Sequence, residues 1–256
     1  TMWFVMETLK TAGILDLYTA LGLILLAGFT SFVTSTMGLG GGMLLLVVMA
    51  SVMPIAALIP VHGLVQLGSN ASRAVMTFNY LDRAMFKYFA LGTILGAIAA
   101  SFVLVQLPLA IIQLAIAIFL LLMVWGLKPS PREMSRPGGV IAGALTTFLS
   151  MFVGASGPMV ASVVYRNGYN KMTHTSTFAN CMTFQHSLKA VVFTLVGFSF
   201  WQWLPLVVAM VVSGAIGTWL GLKLLNRIPA DKFKLAFKLI LSVLAVRLLY
   251  QGIMSL

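Results

Sequence analysis

Apolar segments follow one another along this chain with only short joints between them. They read as 17–37, 43–57, 60–80, 84–106, 109–127, 139–165, 172–198, 203–225 and 233–254. A membrane-crossing helix needs about 20 predominantly apolar residues, and several of these segments qualify. Two are interrupted, at Gly38-Leu39-Gly40-Gly41-Gly42 and at Gly154-Ala155-Ser156-Gly157-Pro158. Each glycine costs a helix interior about 1 kcal/mol relative to alanine. Pro158 lacks an N–H but suits the first turn of a new helix. Non-helical backbone at membrane depth survives only against protein or a wet cavity. Both breaks are therefore expected at an internal cavity; the plainer alternative is a glycine-lined crossing or a surface turn.

Composition sharpens the class. Hydrophobic residues make up 60% of the 256 and charged residues 8%, against about 25% charged in an ordinary soluble domain. Such a chain cannot build a charged shell, which argues against a cytosolic enzyme, a disordered protein or a nucleic-acid module. The expectation is an all-α polytopic membrane protein. The net charge of +11 then marks cytoplasmic loops rather than a nucleic-acid surface. Single Cys181 allows no intrachain disulfide, and no cofactor or metal site is expected. The first apolar run is too long for a cleavable signal peptide and lacks an A-x-A exit.

The sequence reads as a duplication. Shifted by 116 residues, FTSFVTSTMGLGGGM (29–43) faces LTTFLSMFVGASGPM (145–159), and the two breaks coincide. SNASRAV (69–75) then faces QHSLKAV (185–191), which sets Arg73 on Lys189. The halves are expected at 1–127 and 139–256, joined by a proline-rich linker at 128–138. Loop charge relates them. The joint near Asp82, Arg83 and Lys87 is basic, whereas its counterpart at 198–204 is uncharged; 106–109 is uncharged, whereas 226–234 carries Arg227, Lys232 and Lys234. Opposite charge character puts equivalent loops on opposite sides of the membrane. That is the pattern of two inverted-topology repeats with broken or re-entrant helices meeting at the midplane, as in secondary transporters.

Ionisable residues inside the spans narrow the chemistry. All five carboxylates (Glu7, Asp16, Asp82, Glu133 and Asp231) fall in joints or near the ends, while Arg73 and Lys189 fall inside segments. Each such cation costs roughly 2.5–3.5 kcal/mol at the bilayer centre and needs carbonyls, water or an anion. Snorkelling toward an interface is the plainer alternative. Helices restarting after the breaks present a positive dipole end, worth about 0.3–1 kcal/mol to an anion, and up to about 2 when partly buried. Ser35, Thr36, Gln66, Asn70, Ser156, Asn180, Gln185 and His186 read as polar walls. The expected guest is a small oxyanion. His62, His174 and His186 are the side chains that titrate near neutrality, with His186 beside Lys189 a candidate proton sensor; sodium at the break carbonyls is the other coupling option.

These residues resemble the TauE/SafE family of sulfite exporters. The likeness rests on GLGGG near the end of the first apolar segment, GASGP 116 residues on, and the basic linker, and it runs over essentially the whole chain. It implies an inner-membrane transporter of sulfur oxyanions such as sulfite, thiosulfate or sulfonates like sulfoacetate. By that likeness the substrate would sit at Gly38, Gly40, Gly41 and Gly42 together with Gly154, Ser156, Gly157 and Pro158. Partners would be the anion and membrane lipid, as a monomer or homodimer.

Three rival readings remain. Gly154-Ala155-Ser156-Gly157 matches the G-x-S-G pattern of an intramembrane serine protease, with His174 or His186 as base. An anion channel, or a neutral-substrate permease or structural membrane scaffold whose cations merely snorkel, would show much the same sequence. Trp3, Trp125, Trp201 and Trp203 read as interfacial anchors, and Lys223, Arg227, Lys232, Lys234 and Lys238 as a basic margin against acidic lipid.

Overall fold

The chain starts α1 (Leu17–Met37) on an Asp16 cap, whose carboxylate accepts the Thr19 amide at 3.0 Å. A computed structural model describes residues 15–38, 40–104, 109–125, 134–154, 156–165, 167–225 and 231–254. Trp3, Glu7, Lys10, the linker before Met134 and Arg227 lie outside those residues, as do the side chains of Lys232 and Lys234. Ten α-helices are described, with no strand among the described residues. After α1 come α2 (Gly41–Val52), α3 (Ile55–Met76), α4 (Arg83–Leu104) and α5 (Leu109–Trp125). The second half holds α6 (Arg136–Val153), α7 (Gly157–Tyr165), α8 (Lys171–Leu195), α9 (Leu204–Leu224) and α10 (Asp231–Met254).

Both glycine breaks interrupt helices as expected. At the first, Gly38 closes α1 with φ 83° and donates to the Thr34 carbonyl at 2.9 Å, while Gly40 carries φ 101°. Only glycine adopts such angles at little cost. The chain then folds back so tightly that a Cβ on Gly41 would stand 1.9 Å from the Thr30 carbonyl oxygen. At the second, Gly154 closes α6 with φ 78°. The restarted helices, 12 residues in α2 and nine in α7, are too short to cross about 30 Å of hydrocarbon at 1.5 Å per residue.

A set of polar and charged side chains is buried within the apolar core, while large apolar side chains face outward. Leu25, Phe102, Leu195 and Val243 are exposed, while Arg73, Lys189, His62, His186 and Gln185 are buried. That inversion suits lipid and not water, and the chain is a polytopic membrane protein. Among the described residues, Leu17–Met37, Arg83–Val103, Arg136–Val153 and Trp201–Leu224 are long and apolar enough to cross a membrane. α3 and α8 are as long, at 22 and 25 residues, but both carry the buried polar side chains.

Close backbone contact organises the bundle. α1 packs along α9, α4 along α6, α3 along α8 and α5 along α10, with α3 also meeting α9 and α4 meeting α8. A Cβ on Gly217 of α9 would meet the Gly28 carbonyl oxygen of α1 at 2.0 Å, and one on Gly92 of α4 the Val140 carbonyl oxygen of α6 at 1.9 Å. Small residues give lipid-embedded helices this approach, where dispersion rather than hydrophobicity holds them together.

Some expected boundaries shift. The third segment was expected to begin at Pro60, but α3 begins at Ile55 with Pro60 inside it. Met53-Pro54 makes the turn, because the residue before a proline resists the helical region. Arg73, expected about two turns from the end of its segment at Tyr80, sits in the last turn of α3, which ends at Met76. Trp203, expected as an interfacial anchor, is buried at 1% exposure, whereas Trp201 is exposed. Exposed Trp125 donates to Ser242 Oγ at 2.8 Å.

Candidate transport site

The two breaks open onto one small cavity. Gly40, Gly42 and Met43 line it from the first break, and Gly154, Gly157 and Pro158 from the second. Thr34 of α1 adds a hydroxyl. The remaining wall is two stripes, His62, Gln66 and Asn70 on α3 and Phe178, Met182 and His186 on α8. Spacing by four places each stripe on one helix face. The cavity leaves about 20 Å³ open to the centres of water-sized atoms, room for about one water.

Of the residues expected at the site, Gly40, Gly42, Gly154, Gly157, Pro158, Gln66, Asn70 and His186 line this cavity. Gly38, Gly41, Ser35, Ser156, Gln185, Arg73 and Lys189 do not, though Arg73 bonds to Asn70 and Lys189 to Gly154 of the lining. Arg73, 1% exposed, donates from Nε to Ser35 Oγ at 3.2 Å and from Nη1 to Asn70 Oδ1 at 3.3 Å. Asn70 Nδ2 in turn donates to the Gln66 carbonyl at 2.8 Å and faces Gln66 Oε1 at 3.4 Å. The guanidinium thus engages one hydroxyl and one amide oxygen behind the wall. Lys189, fully buried, stands at the second break, donating from Nζ to the Gly154 carbonyl at 3.2 Å. Neither cation faces lipid, which removes the snorkelling alternative. Thr36 bonds back to carbonyls of its own helix, as does Asn180.

Behind the second break, Ser156 Oγ donates to Gln185 Oε1. Gln185 Nε2 donates to Thr147 Oγ1 at 2.9 Å and reaches Thr146 Oγ1 at 3.3 Å. Ser156 is therefore tied to an amide and not to an imidazole. His174 Nε2 sits at 3.4 Å from the Ala161 carbonyl, and both ring nitrogens of His186 lack any partner. This is not the geometry of a Ser–His dyad, which requires the hydroxyl on the imidazole. Among the described residues no cluster of metal-ligating side chains occurs.

Thr34, Met43, His62, Phe178 and Met182 were not expected in the wall. The signal was present in the repeat register: shifted by 116, His62 faces Phe178, Gln66 faces Met182 and Asn70 faces His186. Choosing one residue of a stripe implied its neighbours four positions away.

A second polar cluster lies at one end of the bundle, around a pocket of about 240 Å³ lined by Asp82, Tyr88, Ser135, Arg136, Asn167 and Tyr169 among others. The Tyr169 hydroxyl donates to Asp82, and Asn167 Nδ2 donates to the Tyr169 oxygen at 3.1 Å. Asn167 Oδ1 accepts the Met134 amide at 2.8 Å. Burial pushes the Asp82 carboxyl upward, but the Tyr169 hydroxyl and the amides of Met85 and Ala84 outweigh it, and the net direction is down. Burial first, and the Asp82 carboxylate second, push the Tyr169 phenol up.

A family model described as sulfite exporter TauE/SafE matches residues 23–248, nearly the whole chain. The chain belongs to the TauE/SafE family. It is therefore a sulfite exporter-type membrane transporter. Comparisons with curated proteins and with solved structures returned no match.

Proposed function

We propose that this TauE/SafE protein exports a small sulfur oxyanion, such as sulfite, thiosulfate or a sulfonate, across the inner membrane by alternating access. The anion is held in the cavity where the two glycine breaks meet. That cavity is the observation that carries the reading: it is walled by both breaks and by matching stripes of α3 and α8. α2 and α7 begin there, so two positive dipole ends favour a negative guest. Arg73 and Lys189 add positive charge at Asn70 and Gly154 of the lining, with Ser35, Gly38, Gly41, Ser156 and Gln185 fixing the breaks. Phe178, Met182 and Met43 give the wall an apolar side, which suits an anion with a soft or organic end. A cavity of about 20 Å³ is an occluded form, and the walls must part to admit the anion.

The halves 1–127 and 139–256 act as inverted repeats about the linker 128–138, which lies in the cytoplasm. Helix positions support this. α1 ends at Met37 and α6 at Val153, α2 starts at Gly41 and α7 at Gly157, and α3 starts at Ile55 and α8 at Lys171, each pair 116 apart. Side-chain contacts repeat too: Ser31 meets Ser69 at 2.8 Å, and their counterparts Thr147 and Gln185 meet at 2.9 Å. Exchanging the halves also maps the α1–α9 contact onto α6–α4.

Calorimetric titration of the purified protein with sulfite, thiosulfate, sulfoacetate and sulfate tests the reading. Saturable binding of a sulfur oxyanion is expected, weakened at least tenfold, or about 1.4 kcal/mol, in both Arg73→Gln and Lys189→Gln. Equal affinity in all three proteins would make the cations purely structural.

A further inference from the structure

Three buried imidazole nitrogens at this cavity have no hydrogen-bond partner. His62 and His186 are each 1% exposed, and both line the cavity. His62 Nε2 lies 2.9 Å from the Gly42 carbonyl oxygen. A carbonyl only accepts, so Nε2 carries the hydrogen, and Nδ1 of neutral His62 is a bare lone pair with no donor. His186 has neither nitrogen partnered. Buried polar atoms left unpaired cost about 1–3 kcal/mol each, and such orphans at a cavity ask for a guest.

An anion alone is a poor guest for this pair. An oxyanion presents acceptors, and the Nδ1 lone pair of neutral His62 repels them. A proton on that nitrogen turns it into a donor. Alone, however, the imidazolium would stand near Lys189, one turn along α8 from His186, with no carboxylate in α3 or α8 to offset it. The Lys189 stem packs where a Cβ on Gly63 would stand, 2.7 Å from its Cδ, and His186 Nδ1 lies 3.9 Å from the same point. The other ionisable groups on the two helices are engaged or set apart. Arg73 is held by Ser35 and Asn70, His174 by the Ala161 carbonyl, Lys171 reaches the Leu225 carbonyl at 3.5 Å, and Cys181 is a buried thiol. Thr34 of α1, Met43 of α2 and Pro158 of α7 bring no charge to the lining, which takes no residue from α9. The anion supplies the negative charge that the imidazolium lacks.

We infer that His62 and His186 form a shared proton-binding site, so that the anion enters this cavity together with one proton and leaves with it. The inference rests on the cavity being the anion site. No bond to carbon or sulfur changes: one proton from water adds to an imidazole nitrogen when the anion binds and returns to water when it leaves. Linkage makes the coupling reciprocal, so protonation tightens the anion by the same factor that the anion tightens the proton.

Proton uptake on binding is the test. Calorimetry is run with thiosulfate and with methanesulfonate, both fully ionised between about pH 5.5 and about pH 8, the range in which imidazoles titrate. Buffers of different ionisation heat report the protons taken up per anion. Wild type is expected to take up close to one proton per anion at the upper end of that range, with Kd rising about tenfold per pH unit there. His62→Gln, which keeps a donor for the Gly42 carbonyl, and His186→Gln are each expected to flatten that slope. Binding with no proton uptake by the wild type overturns the inference and leaves the anion site standing. Uptake that persists in the double variant overturns the assignment to the histidines. Failure of both anions to bind at any pH overturns the site itself.

Discussion

At the residue scale the breaks depend on absent side chains. A methyl group at Gly41 would overlap the Thr30 carbonyl oxygen at 1.9 Å, so Gly41→Ala is expected to cost at least about 1–3 kcal/mol, read as a lower melting temperature in detergent. Gly22→Ala meets nothing within 4 Å and is expected to leave stability unchanged or raise it by up to about 1 kcal/mol. Gly63→Ala separates charge from placement. Its Cβ displaces the Lys189 stem while keeping the ammonium, and anion affinity is expected to fall severalfold in a titration with thiosulfate. Much of this was legible. Glycines in an apolar run, two cations without carboxylates, and polar residues beside them point to a cavity from the sequence. The roles of Arg73 and Lys189 were not legible. Sequence places a charge near a break but does not reveal that the charge grips Asn70 or the Gly154 carbonyl from behind the wall.

Elements show where periodicity succeeds and where it stops. The restart of α2 and α7 followed from glycine and proline chemistry. The start of α3 did not, because its segment was begun at Pro60 while Pro54 made the turn. α3 and α8 read as apolar segments carrying a few polar wall residues, and a stripe of each lines the cavity. A buried bundle helix in lipid hides its polar face from a hydropathy average. The connections carry their own chemistry in the Asp82–Tyr169 contact. The Asp82 carboxyl is lowered from its ordinary 3.8 in the folded chain. Its stabilising effect is therefore fully present above about pH 3.8 and is lost as pH falls below that. Tyr169→Phe is expected to remove about 1 kcal/mol near neutrality and to shrink the acid-induced loss, followed as melting temperature between about pH 6 and about pH 3. An unchanged acid profile would mean that the contact does not stabilise the carboxylate.

For the whole molecule, the proposed duplication relates the two halves. Exchange of the halves carries α1–α9 onto α6–α4 and α3 onto α8, and it brings both breaks to one cavity. The overall class was the easiest feature to read, because a chain that is 8% charged has no aqueous alternative. The stripe at Phe178 and Met182 was the hardest, because an apolar residue on a membrane helix shows that it faces a cavity only through the 116-residue register. A carrier built this way saturates, whereas a channel does not. Proteoliposomes loaded with radiolabelled sulfite measure that difference directly. Efflux that saturates with internal sulfite in the wild type, and falls at least tenfold in Lys189→Gln, is the expected result. Efflux no faster than from protein-free vesicles, or a rate that climbs without limit with concentration, would contradict it.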